Sequence, residues 1–367
     1  NLRLWDGLAD TVEAGGAVLI DGDRSAWSGQ KGDLPAHSAA EGALTILASG
    51  VDVFFVISGF IIAATAVSRP NAMEFAFRRA VRIFPVYWLV LLAAVASAHW
   101  IALAPEDRPA LDLGLIFAWT YPNWYIAPAW SIAFELHFYA AVAVILAIAP
   151  HRLFQLLFAG LAVVAIAIIF HAPFGIYAHP LVLEFGGGVA IAFLLQRKNE
   201  LPYSPYILAV SAVLFAAGWY WIFVHGTNDP QSARVPTYGL GAGCLIYAVV
   251  SAELNGARFS SLLQWLGRIS YSLYISHYLL IKWLASFTEL WRISPAGVII
   301  ASIILSIALA AVLHVLVEAP TLNWGRRFRP MRPAADRSAV TPPGDHIGAT
   351  TAASERIAAD ARLVAGT

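Results

Sequence analysis

Long apolar runs separated by short polar stretches recur along the chain from Gly50 onwards. A helix needs about 20 apolar residues to cross the hydrocarbon core of a bilayer. The pattern predicts nine membrane spans, at residues 51–67, 84–103, 131–149, 153–171, 180–195, 206–225, 236–252, 271–288 and 296–317. Two of them are short for a perpendicular helix. Pro180 and the three glycines at 186–188 predict an irregular start to the fifth span.

Composition supports an integral membrane protein. The 367 residues are 59% hydrophobic and 13% charged, with a mean hydropathy of +0.68, whereas a soluble domain is about 45–50% apolar and about 25% charged. We therefore predict an all-α fold, a polytopic membrane helix bundle in a lipid bilayer. The formal net charge is zero, so no global field indicates nucleic acid as a partner. The single cysteine, Cys244, excludes an intrachain disulfide framework and a cysteine metal cluster.

The two ends of the chain depart from this pattern. Residues 1–41 are rich in Gly, Asp and Ala, carry scattered charges, and contain no run long enough to span a bilayer. We expect this atypical polar segment to lie outside the fold and residues 42–325 to form the membrane domain. Residues 326–367 are expected to be a cytosolic basic patch followed by a tail, whose Ala/Thr/Pro/Gly composition predicts disorder.

Loops rich in arginine and lysine alternate along the chain with loops that have few of them. This bias predicts the orientation, because cytoplasmic loops carry the excess of positive charge. The opposite set of loops, at 104–130, 172–179, 226–235 and 289–295, holds only Arg108, Arg234 and Arg292. The C-terminus is therefore predicted to be cytosolic. The rich set comprises Arg69, Arg78, Arg79, Arg82, Arg152, Arg197, Lys198, Arg258, Arg268, Arg326, Arg327, Arg329 and Arg332.

Three arginines follow the first span closely. If their segment is helical, Arg78 and Arg79 each stand one turn from Arg82, so that all three can share one face. Such a cluster can bind phosphates through the planar guanidinium groups. The alternative is that these arginines only set topology and extend to lipid headgroups.

Ionisable residues inside membrane spans are costly and are functional candidates by default. Glu135 is the clearest case, since Ser131, Glu135 and Tyr139 follow one another at intervals of four and form a polar stripe on one helix face. A carboxylate at this position can orient or deprotonate a substrate. The structural alternative is a buried glutamate with no catalytic role, whose hydrogen bonds come from its polar and aromatic neighbours.

Other ionisable residues leave two interpretations open. Asp52 can cap a helix start or pair with a histidine. His277 can act as a base or serve as a hydrogen-bonding group in helix packing, and Glu184 can line a cavity or bond where its helix is broken. Glu318 is expected to form a structural ion pair with Arg326 or Arg327. The histidines lack metal-ligand spacing, so no metal site is predicted.

Five motifs, in order, carry a family resemblance. They read GVDVFFVISGFII, FRRAVRIFPVYW, PAWSIAFELHFY, LGRISYSLYISH and EAP, and they cover roughly residues 50–320. The chain resembles the acyltransferase 3 family of membrane O-acyltransferases. The stretches PLVLEFGGGVAIAF and PAWSIAFEL look most like the branch that acylates exopolysaccharides.

The resemblance implies ten membrane helices and transfer of an acyl group, often acetyl, from cytosolic acyl-CoA to a carbohydrate hydroxyl. It implies a plasma membrane of bacterial type, with acyl-CoA as a co-substrate and no permanently bound cofactor. Arg79 and Arg82, with Arg78 beside them, would engage the donor. The catalytic candidates are Glu135, Asp52 and His277, and the candidates for contact with the acceptor are Trp130, Ser131, Tyr139 and Glu184.

One expected feature of that family is missing. Its first helix carries an arginine, ten intervening residues and a histidine, the expected base, but here the only histidine before Gly50 is His37, and the matching position holds Ala26. The nearby Arg24 has the wrong spacing. We therefore expect this chain to lack a functional first helix. Two alternatives to an active acyltransferase remain at this point: a transporter or flippase for a lipid-linked sugar, and an inactive truncated paralogue.

Overall fold

A computed structural model describes most of the chain from Ser49 to Arg327. The described residues are 3–4, 13–14, 16–21, 24–30, 49–68, 70–98, 113–115, 125–171, 177, 179–198, 201–225, 234–291 and 295–327. At 3–30, 223–225, 287–291 and 295–296 only the backbone is described. The first three predicted outer loops lie largely outside these residues, as does part of the fourth, and His37 and the tail beyond Arg327 lie wholly outside them.

The predicted helix bundle is confirmed, and one helical rod stands at each of the nine predicted spans within the described residues. The rods are α1 (Gly50–Ser68), α2 (Ala72–Ser97), α3 (Ala129–Ile148), α4 (Leu153–Ile169), α5 (Val182–Lys198), α6 (Pro205–His225), α7 (Leu240–Leu254), α8 (Ser261–Trp291) and α9 (Pro295–Leu313). A 3-10 turn, Pro150–Arg152, precedes α4, and a π-helical turn, Val235–Gly239, leads into α7. A second π-helical turn, His314–Glu318, joins α9 to α10 (Ala319–Arg327). Seven of the rods are long and apolar enough to cross a membrane.

Two short antiparallel pairs of strands precede the bundle. β1 (Arg3–Leu4) pairs with β2 (Glu13–Ala14), and β3 (Gly16–Asp21) pairs with β4 (Arg24–Gln30). Where the segment before Gly50 is described, it is therefore extended rather than helical. Its expected place outside the membrane domain stays a prediction.

Two helices begin earlier than predicted. α2 starts at Ala72, because Asn71 caps it by accepting a hydrogen bond from the Glu74 amide at 2.9 Å. The three arginines and the apolar run that follows them therefore belong to one helix, as the shared-face interpretation requires. Similarly, the Ser260 hydroxyl accepts from the Leu263 amide at 3.3 Å at the start of α8.

Helices α1 and α5 make the most extensive contact in the bundle, and glycine permits it. A Cβ added to Gly188 would lie 2.0 Å from the Val56 carbonyl oxygen, and one added to Gly59 would lie 2.2 Å from that of Phe185. The glycine-rich stretch therefore serves close helix packing. At the start of the predicted span 180–195, Pro180 and Leu181 form a turn, and α5 is regular from Val182 onwards, through all three glycines.

Candidate functional site

Four helices begin at the same end of the bundle, and their first residues form what we call the mouth: Asp52, Trp130, Ser131, His179 and Arg234. These residues lie at or just before the starts of α1, α3, α5 and the π-helical turn that leads into α7. Helix N-termini carry partial positive charge and free amide groups. The opposite end of the bundle, which we call the arginine end, holds the start of α2 with its three arginines.

Asp52 and Arg234 form a bidentate ion pair at the mouth. Arg234 donates from Nε to Asp52 Oδ1 and from Nη2 to Oδ2, both at 2.8 Å. The Asp52 side chain is fully buried. The partner of Asp52 is thus an arginine and not the histidine considered from the sequence.

Glu184 lies beside this pair without a donor of its own. The residue is 3% exposed, and neither carboxylate oxygen has a hydrogen-bond partner among the residues that the structure describes. The buried hydroxyl of Tyr238 likewise has none. Glu184 stands within electrostatic range of both Asp52 and Arg234. A buried polar group without a partner is costly, so this centre is incomplete without a proton or a bound group.

Glu135 forms a second buried centre, about one helical turn below Ser131 along α3. Its Oε1 accepts hydrogen bonds from the Ser58 hydroxyl at 2.9 Å and from the Tyr139 hydroxyl at 2.5 Å. The predicted polar stripe is therefore real for Glu135 and Tyr139, and Ser58 of α1 completes it. Two donors on one oxygen fix the orientation of the carboxylate.

The three arginines of α2 have different surroundings. Arg79 is buried, donates to the Thr65 hydroxyl at 2.7 Å, and lies 5.4 Å from the centres of both the Phe75 and Tyr139 rings. Arg78 pairs with Glu74 on its own helix at 2.8 Å.

Arg82 is partly buried and within electrostatic range of Glu135. Since Arg79 contacts Tyr139, which in turn bonds Glu135, the arginine end is physically joined to the Glu135 centre.

A wall of aromatic rings lines the mouth. Tyr274 exchanges a 2.6 Å hydrogen bond with the Ser131 hydroxyl and stacks on Phe54, with ring centres 5.8 Å apart. Trp130 meets Phe134 edge-on at 6.0 Å. Trp130 and Tyr274 are each partly exposed.

His179 stands at this wall just before α5. Its Nδ1 accepts a hydrogen bond from the Leu181 amide at 3.3 Å, and its ring packs edge-on against Phe134 at 5.1 Å. Burial first, and the nearby charge of Arg234 second, lower the pKa of His179 below its ordinary value. The imidazole is therefore neutral at physiological pH.

These centres follow one another along α1. Asp52 pairs with Arg234, and Ser58 bonds Glu135. Thr65 accepts a hydrogen bond from Arg79. Asp52 and Thr65 are separated by about 20 Å along the helix axis, given a rise of 1.5 Å per residue. Polar centres therefore occur along α1 from the mouth to the arginine end, within an otherwise apolar bundle.

Two predicted residues have other surroundings. Within the described residues, His277 contacts its own helix, with Nδ1 bonded to the Tyr274 carbonyl at 2.8 Å and its ring beside that of Tyr274. This agrees with the packing interpretation. Glu318 accepts from the Ser272 hydroxyl at 2.6 Å and lies 3.1 Å from His314 Nδ1. Its buried carboxylate therefore belongs to a separate centre. Among the described residues, no three side chains of His, Cys, Asp or Glu could hold a metal ion.

Sequence reasoning missed Arg234, His179 and Tyr238 as members of the site. Arg234 carried a usable signal, because it is one of few arginines on the arginine-poor side and it directly precedes a span. A charge in that position needs a partner, and Asp52 was the candidate on the same side. His179 and Tyr238 had no distinguishing pattern.

Comparison with known proteins gives a consistent assignment. Residues 25–315 match the acyltransferase 3 family, which is described as an acyltransferase domain. The exopolysaccharide production protein ExoZ of Rhizobium meliloti is 31% identical over 80% of this chain and 96% of its own length. The acyltransferase MdmB of Streptomyces mycarofaciens is 26% identical over 80% of this chain and 86% of its own.

The O-acetyltransferase OatA of Staphylococcus aureus is 26% identical over 75% of this chain and 53% of its own length. No solved structure matches the chain significantly. The family and the named relatives favour an acyltransferase over the transporter considered from the sequence. The chain is therefore a multi-pass helical membrane protein that belongs to the acyltransferase 3 family.

Proposed function

We propose that this protein is a membrane O-acyltransferase that moves an acyl group, in the simplest case acetyl, from acyl-CoA to a hydroxyl of an exopolysaccharide or other cell-envelope carbohydrate. The observation that carries the proposal is the oriented Glu135 carboxylate, which stands between the mouth and the arginine end. The names of two relatives, an exopolysaccharide production protein and an O-acetyltransferase, support the acceptor class and the transferred group.

The donor would bind at the arginine end. Arg78 and Arg82, with Arg79 behind them, supply guanidinium groups that suit the phosphates of CoA. Arg79 is buried against Tyr139, so we assign it to anchoring the site, and we assign phosphate contact chiefly to Arg82 and Arg78. By the excess of positive charge, this end would face the cytosol of a bacterial-type plasma membrane, and so would the C-terminus.

The acceptor would enter at the mouth, beside Trp130, Ser131 and Glu184. Its hydroxyl oxygen attacks the thioester carbonyl carbon, a C–O bond forms, and the C–S bond breaks. The hydroxyl proton passes to a base, and the CoA thiolate leaves towards the arginine end. Glu135 is one turn below the mouth, where the two substrates would meet, and its carboxylate can take that proton. Asp52 would hold Arg234 in place, and no described contact gives His277 a part in these steps.

The test uses membranes that contain the full chain. Acetyl-CoA labelled in the acetyl group is mixed with exopolysaccharide from which ester groups have been removed by alkali. We expect alkali-labile label in the polysaccharide, and Arg82→Ala should raise the donor KM while insertion is unchanged. Arg82→Lys should restore only part of the affinity for the donor, because lysine lacks the two parallel N–H groups with which arginine binds a phosphate. Transfer that needs no acyl-CoA, or an unchanged donor KM in folded Arg82→Ala, would contradict the proposal.

A further inference from the structure

We propose that His179 donates a hydrogen bond from Nε2 to a hydroxyl oxygen of the carbohydrate acceptor at the mouth. This inference rests on the proposed function and extends it by naming a residue that recognises the acceptor. His179 is not part of any of the five motifs of the family resemblance.

The hydrogen bond at Nδ1 fixes which nitrogen is the donor. The Leu181 amide donates to Nδ1 at 3.3 Å, so Nδ1 is an acceptor. In a neutral imidazole one nitrogen accepts and the other carries the proton. The proton is therefore on Nε2, and within the described residues Nε2 has no hydrogen-bond partner. A histidine in this tautomer offers a substrate a donor and not a base.

Packing holds the ring in this position. The imidazole stands edge-on to Phe134, with ring centres 5.1 Å apart and an angle of 70° between the planes. Phe134 is itself buried between Trp130 and Phe55. His179 is only partly buried, so part of the residue is open to a ligand.

The surroundings fit a neutral, hydroxyl-bearing ligand. Trp130 and Tyr274 expose part of their rings, and aromatic rings pack well against the apolar faces of sugar rings while polar atoms at their edges bond hydroxyls. The Asp52 carboxylate already neutralises Arg234. The mouth thus combines aromatic surface with a neutral donor, as a sugar requires and as a phosphate does not.

The experiment compares His179→Ala with His179→Gln in the transfer assay, titrating alkali-treated polysaccharide at saturating acetyl-CoA. Glutamine carries its own Nε2–H donor at a similar reach, whereas alanine has none. Loss of one hydrogen bond to a neutral partner, worth about 0.5–1.5 kcal/mol, corresponds to a rise of about two- to tenfold in acceptor KM. We expect that rise in the alanine variant, an acceptor KM within about twofold of wild type in the glutamine variant, and an unchanged donor KM in both. The exposed His151, on the turn before α4, gives the matched control His151→Ala.

Three kinetic outcomes would overturn the inference. They are an unchanged acceptor KM in folded His179→Ala, a raised acceptor KM in folded His179→Gln, and equal rises in the two substrate KM values. Nitrogen-15 NMR of histidine-labelled protein in lipid nanodiscs tests the tautomer without any transfer activity. Nε2–H on His179 at pH 7 is expected, and Nδ1–H would overturn the inference. Failure of wild type to transfer acetyl, with the expected tautomer present, would instead count against the proposed function.

Discussion

Arg234 reaches the Asp52 carboxylate across 182 residues of sequence and holds both of its oxygens at 2.8 Å. The pair ties the start of α1 to the turn before α7 at the mouth. Asp52 is fully buried, so its charge depends on this partner. An ion pair of this kind is costly to break, because the remaining charge is left buried and alone.

Removing either member of the pair should therefore strongly destabilise the bundle. We expect Arg234→Ala or Asp52→Ala to lower the free energy of unfolding by about 3–5 kcal/mol, measured by denaturant titration in detergent micelles. The double variant should lose much less than the sum of the two single losses, because it leaves no unpaired charge. Strictly additive losses would show that the two side chains do not depend on each other.

Glu184 gives a different expectation, since its two oxygens have no donors. Glu184→Gln removes the possibility of a second negative charge beside Asp52 and adds an amide donor that can bond to it. We expect the thermal midpoint to stay level or rise, measured by scanning fluorimetry in detergent. Glu184→Ala serves as the comparison, and because it leaves a cavity it should lower the thermal midpoint. A large loss of stability in Glu184→Gln would show that an ionised Glu184 supports the fold.

Gly188 tests the contact between α1 and α5. A Cβ at this position would lie 2.0 Å from the Val56 carbonyl oxygen, so Gly188→Ala must push the helices apart. We expect a loss of about 1–3 kcal/mol, as for other overpacked positions. Gly243→Ala is the control, because a Cβ there meets nothing within 4 Å. Equal effects of the two substitutions would contradict the close packing.

The sequence predicted much of this fold because membrane spans are long and uniform. Within the described part of the chain, a helical rod stands at each of the nine predicted apolar runs, and the Ser131–Glu135–Tyr139 spacing placed Glu135 and Tyr139 on one face. The sequence did not predict which helices contact one another. The Asp52–Arg234 pair depends on the contact between two helices far apart in sequence, and no local spacing encodes it. The glycines at 186–188 indicated a break, but the backbone of α1 lies directly against Gly188.

The stability of the folded protein should depend on pH through His179. Burial and the charge of Arg234 lower the pKa of His179, so the unfolded chain binds this proton more readily than the folded protein does. The stability that its neutral ring contributes is therefore complete above the ordinary histidine pKa of about 6.5 and declines as the pH falls below it. Besides Arg234, the nearby carboxylates are Asp52, which pairs with Arg234 from α1, and Glu184 on α5, the helix that follows His179.

The corresponding measurement is the thermal midpoint of wild type and His179→Gln from pH 7.5 to pH 5. Wild type should lose stability relative to the variant as the pH falls, because glutamine does not titrate. A constant difference between the two curves would contradict the neutral, buried imidazole.

We expect the oriented Glu135 carboxylate to take part in acyl transfer, and a comparison of two buried glutamates tests this claim. Glu135→Gln keeps the shape of the side chain and removes its charge, whereas Glu318→Gln does the same in the separate centre of Ser272 and His314. The rate of transfer from labelled acetyl-CoA to alkali-treated polysaccharide should fall by about 10²–10⁴ in Glu135→Gln. It should stay near wild type in Glu318→Gln, with both proteins folded. Full transfer by folded Glu135→Gln would contradict the claim and leave Glu135 as a packing group.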